Sequence, residues 1–181
     1  MNFLVRQFFS EEEGKGEIHF REVRFLNQEK DWDWETVSKR APNLPRPWFE
    51  LSRISAEDRI EFVRDLWVDE LPYSPSTYER LVNFFERLDD IDIVLHRQGE
   101  EDCLTAEMVY SLEDGSSFFR GLIPCSMQEM DTLRSSVAVE LPRDFQAFYR
   151  IHNGFGKLSE LGLLKADEIA EERQNLINTL L

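Results

Sequence analysis

Apolar positions repeat every three to four residues in some stretches of this chain and every second residue in others. That alternation divides it into helices and strands. From Ser55 the pattern is helical: Ile60, Val63 and Trp67 mark one face, with Phe62 and Leu66 beside it. Ser55-Ala56-Glu57-Asp58 resembles a capping box with Asp in place of Glu, and Leu71-Pro72 ends the helix. A second helix is predicted from the capping box Ser76-Thr77-Tyr78-Glu79, with Tyr78, Leu81, Val82, Phe85 and Leu88 on its inner face. The period then changes to two. Ile91, Ile93 and Leu95 alternate with Asp92, Val94 and His96, and β-prone runs follow at Leu104–Leu112 and Ser117–Ile123. The turns between them, Gly99–Asp102 and Glu113-Asp114-Gly115-Ser116, are short, which favours an antiparallel meander.

A third capping box, Ser126-Met127-Gln128-Glu129, opens a short helix with Met127, Met130 and Leu133 facing inward. Val137 and Val139 lie in an extended connection to Leu141. The stretch Leu141 to Phe155, LPRDFQAFYRIHNGF, has a marked start and stop. Pro142 suits a first helical turn and Asp144 the positive end of the helix dipole. Phe145, Phe148, Tyr149 and His152 form an aromatic face, and Gly154 suits the left-handed stop position. A loop and short strand from Lys157 to Leu164 lead to a terminal helix capped by Asp167.

The N-terminal part reads differently. Residues 3–9 are apolar and β-prone, Glu11–Gly16 is a charged turn, and Ile18 and Phe20 alternate with polar neighbours. A bulge near Arg21-Glu22 would bring Val23 and Phe25 onto the same face, giving an N-terminal hairpin. Asp31–Glu35 places Trp32 and Trp34 on one face if extended, and the three prolines of Ala41–Pro47 exclude a regular helix there. Trp32, Trp34, Trp48 and Phe49 bracket that arm and are expected to pin it to the rest of the chain. The reading is thus a β-hairpin and Pro-rich arm over residues 1–50 and an α+β domain over 51–181, an antiparallel sheet with helices packed on one side.

Composition narrows the function. The 181 residues carry a formal net charge of −15, which opposes nucleic acid and anionic membranes and suits a basic protein partner. Cys103 and Cys125 make no framework of disulfides and read as buried small hydrophobes in a reducing compartment. The start, MNFLVRQFF followed by SEEE, lacks the features of a signal peptide, so a cytoplasmic location is expected.

The chemistry is sparse. His19, His96 and His152 have no metal-ligand partner at helical spacing, and His152 reads as a packing or capping residue. Asp31, Asp33 and Glu35 resemble only the opening of a calcium loop, without its central Gly and final Glu. Phosphate-loop and nucleophile-elbow motifs are missing. No cofactor, metal or catalytic residue is expected, and the chain reads as a non-enzyme. A deep pocket joining His96 or His152 to carboxylates would reopen that question.

Leu141-Pro142, the acidic and aromatic Asp144-Phe145, the short aromatic helix and Asn153-Gly154 together resemble the signature of the SUKH superfamily, which contains bacterial immunity proteins and fungal regulators of cell-wall assembly. Gly162-Leu163-Leu164 and Asp167-Glu168-Ile169 resemble the strand and helix start that follow in that family, so the similarity spans residues 127–172 within a SUKH-like part at 127–181. The resemblance implies an immunity-like role, binding and occluding a basic toxin. The motif positions Leu141, Pro142, Phe145, Asn153 and Gly154 would be structural. The acidic turns, Glu100, Glu101 and Asp102 together with Glu113 and Asp114, would be the contacts. The chain departs from the family in having its long strands before the Asn-Gly helix, and the apolar Leu180-Leu181 end suggests a fragment of something longer. Two other roles fit the same pattern: an acidic secretion chaperone that holds an extended client as a homodimer, and a regulatory scaffold domain.

Overall fold

A computed structural model describes residues 2–11, 20–100, 102–137, 140–158 and 160–180. The described elements are α1 (Phe3–Phe8), β1 (Glu22–Phe25), α2 (Trp34–Arg40), α3 (Arg46–Leu51), α4 (Ala56–Glu70), α5 (Pro75–Phe85) and β2 (Leu88–Arg97). They continue with β3 (Thr105–Leu112), β4 (Phe118–Leu122), α6 (Met127–Val137), α7 (Arg143–Ile151), β5 (Phe155–Lys157), β6 (Glu160–Leu163) and α8 (Ala166–Leu180). The six strands form one antiparallel sheet in sequence order, β1 to β6, so the architecture is α+β as the hydrophobic pattern predicts.

Strand alternation sets two faces. Ile91, Ile93 and Leu95 of β2 and Ala106, Met108, Tyr110 and Leu112 of β3 enter the main core with Trp48, Phe49, Val63, Trp67 and Phe85 from the helices. Trp67 is the hub: its ring lies 5.4–6.2 Å from those of Phe84, Phe85, Tyr110, Phe148, His152 and Phe155. The opposite face carries Val94, Val109 and Phe118, covered by Val5, Phe9 and Phe20. The larger helical layer is therefore on one side, while α1 covers part of the other. A third cluster joins Met130, Leu133, Leu141, Tyr149 and Ala166 around α6, α7 and α8.

The N-terminal reading needs correction. Residues 3–8 form a helix, not a strand, capped by Asn2, whose side chain accepts the Leu4 N–H at 2.9 Å. β1 pairs with β2 in the register Val23↔His96, so no separate hairpin forms from these strands. The expected turn lies largely within residues 12–19, outside the described residues. Trp34 starts α2, with Asp33 accepting the Thr36 N–H at 2.8 Å, so the run Asp31–Glu35 is not extended throughout. The aromatic side chains do pin the arm: Trp34 meets Phe49, and Arg40 and Arg46 stack over Trp32 and Trp34. Leu26, Val37, Trp48 and Phe49 share one core with α4, α5 and the sheet, so residue 50 does not separate two cores.

Capping chemistry holds where it was legible. Ser55 Oγ accepts the Asp58 N–H at 3.2 Å, and Ser126 and Glu129 complete a reciprocal box at 3.2 and 2.7 Å. α5 starts earlier than its predicted box, with Ser74 as N-cap and Pro75 in the first turn, where a missing N–H costs nothing.

Candidate functional site: an acidic helical surface and two interior polar networks

The acidic turns do not converge. Glu100 and Asp102 are exposed in the β2–β3 turn, Glu113 and Asp114 are exposed in the β3–β4 turn, and Glu101 lies outside the described residues. These turns sit at opposite ends of the eight-residue β3, about 27 Å apart at the usual rise per residue. Each also has local work. Glu100 lies 3.8 Å from Arg21, and Asp114 accepts the Ser116 N–H at 2.9 Å and lies 3.8 Å from Arg87. The Ser116 hydrogen bonds hold the Asp114 carboxyl below its ordinary pKa.

The motif residues build the α6–α7–α8 corner. Leu141 is buried, Pro142 precedes α7, and Phe145 stacks on Tyr149 with ring centroids 4.4 Å apart. Gly154 takes φ +107°, which glycine alone adopts readily, but it lies beyond the helix: α7 ends at Ile151 with an extended His152 as its cap, not at a left-handed stop at Gly154. Asn153 is buried and ties two helix starts together: its amide donates to Glu129 Oε1 at 3.2 Å, and its Oδ1 accepts the Ala166 N–H at 2.8 Å. The motif therefore works in packing and capping.

His152 is interior. Its Nδ1 donates to the Leu122 carbonyl at 2.8 Å, which leaves Nε2 to accept from the Tyr110 hydroxyl at 2.6 Å. Burial drives its pKa down to about 4 against the opposing pull of the Leu122 carbonyl, so the ring is neutral at neutral pH. The Tyr110 hydroxyl, also buried, is pushed well above its ordinary range.

The second network is assembled by strand register and has no local pattern in the sequence. His96, Glu107 and Arg120 come from three adjacent strands and meet on the face that α1 partly covers. Arg120 donates from Nε to Glu107 Oε2 at 2.6 Å and from Nη2 to Oε1 at 2.8 Å, while His96 Nε2 donates to Oε1 at 3.0 Å. Burial alone would raise the Glu107 pKa, but these donors outweigh it and hold the group at about 2. Phe8 lies under the Arg120 guanidinium at 4.6 Å, and Phe9 and Phe20 pack against the His96 ring. A cavity of about 420 Å³ lies beside the network, lined also by Glu129, Asn153, Lys165 and Asp167. Histidine and carboxylate are thus brought together, but both carboxylate oxygens are engaged.

Neither cysteine is deeply buried, contrary to expectation. Cys103 is exposed and Cys125 half-buried, with burial and then Glu129 raising the Cys125 thiol to about 11. Among the described residues, no three His, Cys, Asp or Glu side chains are grouped to hold a metal, and no helix is long and apolar enough to cross a membrane.

Exposed apolar side chains are scattered over the surface, Phe3, Met127 and Leu176 among them, and one group of them lies on α4 and the segment after it. Phe62 and Leu66, one turn apart on α4, are 63% and 42% exposed, and Tyr73 and Tyr78 are 78% and 46% exposed. Glu57, Asp58, Glu61, Asp65 and Asp69 of α4 are all exposed, whereas Arg59 is buried and donates to Asp90 Oδ1 at 2.7 Å. A groove of about 600 Å³ separates α4 from α5. A cleft of about 720 Å³, lined by Leu71, Tyr73, Phe145, Phe148 and Leu163 among others, lies between the α4–α5 connection and α7. Comparison of the chain with protein-family models, with curated proteins and with solved structures finds no match.

Proposed function

We propose that this chain is an acidic, non-catalytic protein-binding domain that neutralises a basic, toxin-like protein by covering it, in the manner of an immunity protein. The observation that carries the reading is on α4, where exposed Phe62 and Leu66 stand among five exposed carboxylates. Apolar side chains exposed in this way supply contact area, and the surrounding charge steers a basic partner and rejects acidic ones. The overall charge of −15 acts in the same direction at longer range. The acidic turns lie at opposite ends of β3 and make no single acidic patch, and exposed Phe62 and Leu66 with their acidic neighbours favour α4 as the binding face. The full engagement of Glu107 supports a structural role for the interior histidine and carboxylate pair, and so favours binding over catalysis.

The test is affinity capture from the source cell with wild-type bait and with a Phe62→Ala/Leu66→Ala double variant, together with light scattering. The reading expects a monomeric bait that retains one folded basic protein, and a variant with unchanged melting that loses it. A dimeric bait holding an extended segment of a secreted protein would replace this reading with the chaperone. Retention of nothing by well-folded bait would remove both.

A further inference from the structure

The groove between α4 and α5 has the form of a seat for another helix. Its α4 wall is a single stripe, Glu57, Ile60, Glu61, Arg64, Asp65 and Val68, and its α5 wall is a second stripe from Tyr78 through Val82 and Phe85 to Glu86. Each set follows the three-to-four-residue spacing of one helix face. Ile60, Val68, Val82 and Phe85 supply an apolar floor, while Glu57, Glu61, Asp65 and Glu86 supply acids on both sides. Arg64 is the groove's one basic residue among the described ones. It is already held by Asp65 at 3.0 Å and Glu61 at 3.6 Å, which leaves the groove with a net charge of −3. From Glu57 to Val68 the wall runs about 16 Å, or three helical turns.

We propose that this groove binds a basic amphipathic helix of the partner protein, a refinement that rests on the protein-binding reading above. The helix lies along the groove with its apolar stripe on Ile60, Val68 and Val82, over the buried Phe85. Its Lys or Arg side chains flank that stripe and reach Glu57, Glu61 and Glu86. Charge complementarity on both walls selects a basic occupant, and the apolar floor selects an amphipathic one over a uniformly polar chain.

The experiment uses the full chain and a labelled 18-residue peptide with Leu at helical spacing and Lys elsewhere, followed by fluorescence anisotropy. The control peptide carries Glu in place of Lys. Glu61→Lys/Glu86→Lys reverses two exposed groove acids, and Glu113→Lys/Asp114→Lys makes the same change in net charge at the distant β3–β4 turn. The proposal expects the Lys peptide to bind and the Glu peptide to fail. It expects at least tenfold loss with the groove variant and less than threefold with the turn variant, with amide shifts confined to residues 57–68 and 78–86. Equal losses in the two variants would mean adhesion to bulk charge and would overturn the groove, as would a Lys peptide that does not bind. Either result leaves the protein-binding reading standing, because capture with the Phe62→Ala/Leu66→Ala bait tests that separately.

Discussion

The imidazole of His152 occupies the space in which a side chain at Gly121 would begin: a Cβ built there falls 2.5 Å from ring atoms. The contact seals the end of α7 against β4, and neighbouring backbone bonds reinforce it, Asn153 N–H to the Ile123 carbonyl at 3.1 Å and Leu122 N–H to the Gly154 carbonyl at 3.1 Å. His152 cannot retreat without losing its own two hydrogen bonds. Gly121→Ala is therefore expected to cost about 2–3 kcal/mol by overpacking and to lower the melting temperature by roughly 5–10 °C. Thermal denaturation checks this, and an unchanged melting point would show that the ring can move aside.

Tyr110→Phe keeps the shape of the core but removes the donor to His152 Nε2. With that buried nitrogen left unpaired, the loss expected at pH 7 is about 1–3 kcal/mol by urea denaturation. A variant as stable as the wild type would mean that His152 finds another donor.

Asp92 gives the protein an unusual dependence on pH. Its residue is 1% exposed, and burial, assisted by Asp90, raises its pKa to about 7. The native state holds a proton that the unfolded state has already released above its ordinary value of 3.8. Stability from this group is therefore highest at acid pH and falls as pH rises from about 4 to 7, by about 4 kcal/mol in all. Asp92→Asn should abolish that fall, so the variant gains on the wild type by about 3 kcal/mol between pH 5 and pH 8 in paired denaturation curves. Parallel curves for the two proteins would contradict the assignment.

Breaking the Glu107 network on one side leaves a charge buried. Arg120→Met alone should cost about 3–5 kcal/mol, while Glu107→Leu/Arg120→Met should recover most of the loss. Glu107 has a lowered pKa, so its stabilisation is complete above its ordinary 4.5 and is lost as pH falls toward 2. A double-mutant cycle on Glu107 and Arg120 at pH 7 measures their coupling, and additive losses would show that these two side chains act independently.

The helices α4 and α6 could be read from Ser55 and Ser126 because capping is local: the residues that mark the helix start also satisfy it. Gly154 was legible as a position of positive φ, which selects glycine, although α7 stops three residues earlier at Ile151 with an extended cap at His152. Residues 3–8 were misread because their helix is short and owes its existence to Val5 and Phe9 packing on the far sheet face. Within the sequence that run looks like any β-prone stretch. His96, Glu107 and Arg120 were invisible as a set because only strand register brings them together. The acidic turns stood out by charge density. The carboxylates of α4, equally plain in the sequence, read as an ordinary solvated face until their exposed apolar neighbours were placed beside them.

The sheet runs in sequence order, but two of its pairings join strands that lie far apart in the chain, β4 with β5 across α6 and α7, and β1 with β2 across a longer stretch still. β2 through β4 are joined by tight turns, whereas β1 reaches β2 only across residues 26–87, the whole excursion of α2 to α5. Closing that loop carries an entropy cost that a hairpin avoids. The central meander can form early from nearby residues, and β1 can add only once the helical layer has shortened the distance. Hydrogen exchange should then find β1 opening at lower free energy than β2 and β3. The first strand in the sequence would be among the last to join the sheet and the first to leave it.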